Sequence, residues 1–264
     1  MTRTITPPTR LGPERPLRVH VVGNSAAVMV EPAHGPRDEG TYGEQLVTML
    51  ADAGVPTTVT HAGRWFGLVD EFVSRYERDI RDPFPDVLVL HFGMAECQSN
   101  VLSRRIVRHV TTWERTSRRT ALAYRNRVVP PVWRVLRRYQ RWAAAHDDRT
   151  HRLGPRRFRA DYSRLIDLVR KDCAPLVLLV DIDPPGDRVE HWLPGTARRA
   201  LAYNAILADI AASYDDGVRL IRASETLTDV KLELPDGLHR TPAGHRLTAR
   251  LVTDEVLDWL KVGR

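Results

Sequence analysis

The sequence predicts an α/β fold of three layers, with a central five-stranded parallel sheet between two layers of helices. Three observations carry that expectation. Short runs of aliphatic and β-branched residues recur along the chain, and the clearest of them are almost continuously apolar, as in strands covered on both faces. Stretches with helical spacing separate them. The chain has 264 residues, 42% of them hydrophobic, enough for one large domain with a substantial core.

The elements follow in order. Residues 1–16, MTRTITPPTRLGPERP, carry no helical or strand pattern and are expected to form a disordered tail ahead of a single domain spanning 17–264. LRVHVV (17–22) is the first strand and stops at Gly23. Residues 40–53 place Leu46, Val47, Leu50 and Ala51 on one helical face, with Gly54 as the stop. VPTTVT (55–60) is the second strand, and 67–80 reads as one helix. DVLVLHF (86–92) and PLVLLVDI (175–182) are buried strands. A long amphipathic helix over 196–214 precedes a short strand, GVRLI (217–221). The closing helix occupies 241–260, with Thr241 as N-cap and Pro242 at its first position.

The alternation breaks between Gly93 and Pro175. Helical stretches interrupted by Pro130 and Pro131 read there as a helical insertion over about 98–173. This segment is also the most basic. Residues 101–160 hold seventeen arginines against three acidic residues, while the whole chain is only +7. Three readings stay open. Trp113, Tyr124, Trp133, Tyr139 and Trp142 could line a lid. The arginines could attract an anionic small partner or carrier: a phosphopantetheine-bearing carrier, a nucleotide sugar or an acidic acyl chain. Or the segment is a solvated helical face with its aromatics packed inward. Nucleic acid ranks below these, although clustered arginine with interleaved aromatics is its footprint.

Some classes are set aside. No apolar run is long enough to span a membrane. The N-terminal residues lack the apolar segment of a secretory signal. Cys97 and Cys173 make neither a disulfide framework nor a metal spacing. The expectation is a cytoplasmic protein with reduced thiols.

In open parallel sheets, reactive groups gather at the carboxyl ends of strands. Three such ends stand out. Gly23-Asn24-Ser25 follows the first strand; Ser25 there is either a helix cap or a hydroxyl projected into a crevice. Asp236 and His239 sit three residues apart before the closing helix, close enough for the carboxylate to orient the imidazole. They read equally as a cap and a surface histidine, and His245 reads as a packing or capping residue. HFGMAEC (91–97) follows the third strand. Gly93 would let backbone approach a ligand, and Glu96 is a site carboxylate, a cap or a solvated residue.

Taken together and in order, these segments resemble the SGNH/GDSL hydrolase superfamily. Gly23-Asn24-Ser25 is similar to its nucleophile block, THAGRWFG (60–67) to its second block, GMAE (93–96) stands at its third, and DGLHRTPAGH (236–245) matches its last. The resemblance implies a flavodoxin-like fold. It also implies a catalytic Ser25, Asp236 and His239, an oxyanion hole from the N–H groups of Ser25 and Gly63, and Asn24, Gly93 and Glu96 near the substrate. Two departures stand out. Asn24 replaces the usual aspartate, and Ala95 stands where the family carries an asparagine donor. The implied reaction forms an acyl-Ser25 intermediate from a small-molecule ester or thioester, without metal or organic cofactor. Water or an acceptor then takes the acyl group, so an esterase and an acyltransferase tailoring a specialised metabolite or glycan share every group named. A binding protein that keeps the fold and has lost the activity is the reading that Ala95 favours.

Overall fold

The computed structural model describes residues 15–28, 40–64, 67–99, 129–146, 151–173, 175–214, 217–226 and 236–262. Most of the expected N-terminal tail, Trp113 and Tyr124 lie outside them, as do residues 100–128 of the expected insertion.

Five strands form one sheet: β1 (Leu17–Gly23), β2 (Thr57–Gly63), β3 (Val87–His91), β4 (Leu176–Val180) and β5 (Val218–Ile221). All pairings are parallel, and the spatial order is β2-β1-β3-β4-β5. This is the flavodoxin-like order, which reverses direction between β1 and β3. The central strands β3 and β4 are buried at every position, whereas edge strand β2 alternates between partly covered and exposed residues. The unbroken apolar runs in the sequence are therefore the central strands, covered from both sides.

Helices cover the two faces. They are α1 (Ser25–Val28), α2 (Tyr42–Asp52), α3 (Val69–Val73), α4 (Met94–Cys97), α5 (Val129–His146), α6 (Pro155–Asp172), α7 (Asp187–Trp192), α8 (Thr196–Ala212), α9 (Ala223–Thr226) and α10 (Pro242–Val262). One core joins Val22, Leu88, Leu90, Val177 and Leu179 to Phe72 of α3, Phe158 and Tyr162 of α6, and Tyr203 and Leu207 of α8. The other joins Val19, Val21, Val89 and Leu178 to Leu46 of α2 and to Val252, Val256 and Trp259 of α10. Among the described residues no helix is long and apolar enough to cross a membrane.

Two expectations change. The helix expected over 67–80 is broken: α3 ends at Val73, and Glu77–Arg81 forms a π turn. Its apolar spacing survives, since Phe72, Tyr76 and Ile80 are all buried. The carbonyl of Asp79 within the π turn is bonded 2.8 Å away by Nε2 of His20 from β1. The second change concerns 98–173. Phe158, Tyr162, Leu165, Ile166 and Val169 of α6 are fully buried in the first core. So α6 is the crossover helix between β3 and β4, and belongs to the layer itself.

Besides His239, three histidines are buried: His20, His91 and His245. Burial lowers all three, and the Arg240 guanidinium adds to the effect at His91 and His245. His245 is pushed down to about 3. Its Nδ1 accepts the Tyr42 N–H at 3.2 Å, and its ring stacks on Tyr42 at 6.0 Å between centroids. A histidine kept neutral in the fold stabilises it fully above the unfolded value. That stability is lost as pH falls, because only the unfolded chain takes up the proton. His245→Phe keeps the stack and removes the proton site. The stability advantage of the parent over this variant should shrink by about 1.4 kcal/mol for each pH unit below about 6.5. Urea unfolding of both proteins at several pH values measures this; a constant difference would show His245 does not titrate on unfolding.

Candidate active site

The carboxyl ends of β1, β2 and β3 meet at one edge, where Gly23 pairs with Gly63 on one side and His91 on the other. A Cβ on Gly23 would lie 2.4 Å from the His91 carbonyl oxygen, so the close approach of β1 to β3 requires glycine. The Asn24 N–H then donates to that same carbonyl at 3.3 Å, and Asn24 is buried. The chain turns at once into α1, which presents Ser25 at the switch point of the sheet.

The last block comes from the other end of the sequence. Ser25 and His239 are 214 residues apart in the chain, yet Ser25 Oγ lies 2.9 Å from His239 Nε2. On the far side of the ring, Nδ1 lies 2.6 Å from Asp236 Oδ2. An ionised carboxylate only accepts, so Nδ1 carries the proton and Nε2 is left to accept from the Ser25 hydroxyl. The other carboxylate oxygen, Oδ1, accepts the N–H groups of Leu238 at 2.9 Å and His239 at 3.0 Å. Burial alone would raise the Asp236 carboxyl. The bonds from the His239 ring and the two backbone N–H groups outweigh it and hold Asp236 well below the usual range.

This loop is fastened to the end of β4. Gly237, at φ 75°, turns its carbonyl to accept the Gly186 N–H at 3.0 Å. Arg240, buried beside the histidine, forks onto Asp183, with both N–O distances 2.6 Å. Its third contact, Nη1 to Thr248 Oγ1 at 2.5 Å, ties the loop to α10. Thr241 caps that helix through the Gly244 N–H at 3.3 Å. The Arg240–Asp183 pair escaped the sequence reading. The only signals were an arginine next to the histidine and an aspartate two residues past a strand-end Asp181.

The third block is arranged differently from the expectation of a ligand surface. Glu96 is fully buried, and its two carboxylate oxygens accept the Val69 N–H at 2.9 Å and the Gly93 N–H at 2.8 Å. Of the readings open for Glu96, the geometry is that of a cap, and one that also clamps the start of α3. Burial pushes its carboxyl up to about 7, against the pull of those N–H donors. Gly93 likewise turns inward. Its φ is 130°, its N–H is taken by Glu96, and a Cβ there would strike the Ile182 side chain. Ala95 is a buried core residue. Within this block, then, the Gly93 N–H is taken and Ala95 has no side-chain donor.

No family model matches the sequence, and no curated protein matches it. Solved structures do. A lipase/acylhydrolase from Enterococcus faecalis superposes with a TM-score of 0.60 at 14% identity, over 91% of this chain and 95% of that one. TesA gives 0.58 at 15%, over 92% and 99%. A family 3 carbohydrate esterase from Clostridium thermocellum gives 0.56 at 16%, over 94% and 98%. The chain has the three-layer fold of the SGNH/GDSL hydrolase superfamily.

Two variants test the scaffold around the site. Glu96→Ala leaves two buried N–H groups unmatched and should cost about 2–4 kcal/mol of folding stability, read from thermal and urea unfolding. Arg240→Leu strands the Asp183 carboxylate and should cost about 3–5 kcal/mol. A near-parental melting temperature for either would show that its bonds do not hold these loops.

Proposed function

We propose that the protein is a serine-dependent ester hydrolase of SGNH type, and the single observation behind this is the unbroken Asp236–His239–Ser25 relay. In this reading Nε2 of His239 takes the Ser25 proton as Oγ attacks the carbonyl carbon of an ester or thioester. Asp236 steadies the imidazolium that forms. Collapse of the tetrahedral species breaks the bond to the leaving group, which departs with the proton from His239. The acyl group is left on Ser25. Water, deprotonated by the same nitrogen, then attacks the acyl-Ser25 carbonyl, and the acid is released.

The oxyanion is assigned to the backbone N–H groups of Ser25 and Gly63, both at the sheet edge where the relay lies. Ala95 removes a side-chain donor at the third block. Loss of one such donor costs about 10²–10³ in rate elsewhere, so turnover on simple esters is expected to be modest. A lipase/acylhydrolase and a carbohydrate esterase among the structural neighbours agree with ester cleavage. Ala95 also favours a second reading, a ligand-binding protein that retains the relay with little turnover.

Intact-mass analysis after exposure to a small fluorophosphonate separates the two. The hydrolase reading expects one adduct on the parent protein and none on folded Ser25→Ala or His239→Ala. It also expects Asp236→Asn to slow labelling and ester turnover by about 10³–10⁴-fold. A folded parent protein that takes no label would leave the binding reading in place.

A further inference from the structure

The α5 helix carries an apolar stripe on its outer side. Toward the fold, Ala143 and Ala144 are buried, Leu136 is partly buried, and Gln140 Nε2 donates to the Ser99 carbonyl at 2.7 Å. Away from the fold it presents a set of large apolar side chains. Val132, Val135, Tyr139 and Trp142 are 49%, 67%, 53% and 57% exposed. At 3.6 residues per turn, these four and His146 fall within an arc of about 80° and form a stripe roughly 21 Å long. Arg134, Arg138 and Arg141 occupy a neighbouring arc of about 60°. All three are exposed, and none forms an ion pair among the described residues. The contrast with Arg157 and Arg159 on α6 is direct, since those pair with Asp70 and Asp209.

The patch runs on toward the catalytic loop. Arg141 Nη1 lies 3.4 Å from Nε2 of His191 on α7, and the adjacent Trp192 is exposed. Gly186, the N-cap of α7, is the residue that bonds Gly237.

We propose that α5 is an interfacial helix that docks the protein on an anionic lipid surface. A helix with an apolar, tryptophan-bearing stripe beside a row of arginines lies in the headgroup plane, its apolar side among the acyl chains and its cations on phosphates. The chemistry of the stripe selects lipid over nucleic acid. Val132 and Val135 offer nothing to a base. Trp142 is already stacked between Tyr139 at 6.0 Å and His146 at 5.0 Å, which leaves it no open face for a base. The same arginines oppose a second copy of the helix, because a two-fold contact would bring like charges together. The inference stands apart from the hydrolytic reading.

The test uses the full-length Ser25→Ala protein, which cannot turn over lipid through Ser25, in co-sedimentation with extruded vesicles. Vesicles of phosphatidylglycerol and phosphatidylcholine in equal parts should retain the protein. Pure phosphatidylcholine vesicles should retain far less, and salt at about 0.5 M should weaken retention. Adding Arg134→Gln, Arg138→Gln and Arg141→Gln together should cut binding about 100-fold. Adding Tyr139→Ser with Trp142→Ser should cut it at least about 10-fold, and both sets should keep the melting temperature of Ser25→Ala. Four results would overturn the proposal: no retention, retention indifferent to both sets, a solution dimer that Tyr139→Ser/Trp142→Ser dissolves, or tighter binding to random duplex DNA than to vesicles. Fluorophosphonate labelling of the parent protein is read separately, so failure of either idea leaves the other standing.

Discussion

The relay exists because Arg240 is forked onto Asp183. A buried guanidinium and a half-buried carboxylate with paired bonds of 2.6 Å fix the last loop against the end of β4. Once the guanidinium is held there, its neighbour His239 has little freedom, and the Asp236 turn closes around the same short segment. A bidentate arginine suits this task because its planar fork sets orientation as well as distance. The pair also charges its surroundings. Tyr42, His91 and His245 all lie within its electrostatic reach, and the histidines stay neutral partly because a permanent cation sits among them.

Glycine does the corresponding work on the nucleophile side. Gly23 lets β1 crowd the His91 carbonyl, and that crowding sets where α1 begins. Gly93 instead gives its N–H to Glu96, whose other oxygen reaches α3. The site edge is thus built from two tightly drawn loops, one that presents a hydroxyl and one that braces its neighbours.

Much of this was legible in the residues. The buried strands were readable because β3 and β4 are covered on both faces and carry no polar interruption. Asp236 and His239 were readable because they are near in sequence and precede a well-capped helix. What stayed hidden was long-range or masked by composition. Asp183 and Arg240 are 57 residues apart, and one arginine among so many carries no flag. Glu96 was ambiguous because its second partner, the Val69 N–H, lies on another element. In α6 the apolar stripe of Phe158, Tyr162, Leu165, Ile166 and Val169 was present, but dense arginine on the opposite side made the segment read as part of an insertion. The outward turn of Tyr139 and Trp142 was also beyond reach, since periodicity gives a face without saying which way it points.

The relay draws Ser25 from the first strand's end and His239 from the last loop, and α10 packs Val252, Val256 and Trp259 into the same core as Leu46 of α2. Contacts of such sequence separation form late, because a long loop must close first. On the ribosome, the first strands and α2 emerge long before the helix that covers them. Until then one face of the sheet lacks part of its cover and Ser25 lacks its His239 partner. In the proposed hydrolase the hydroxyl therefore gains its base in the same event that completes the fold, and a nascent or truncated chain holds an inert alcohol.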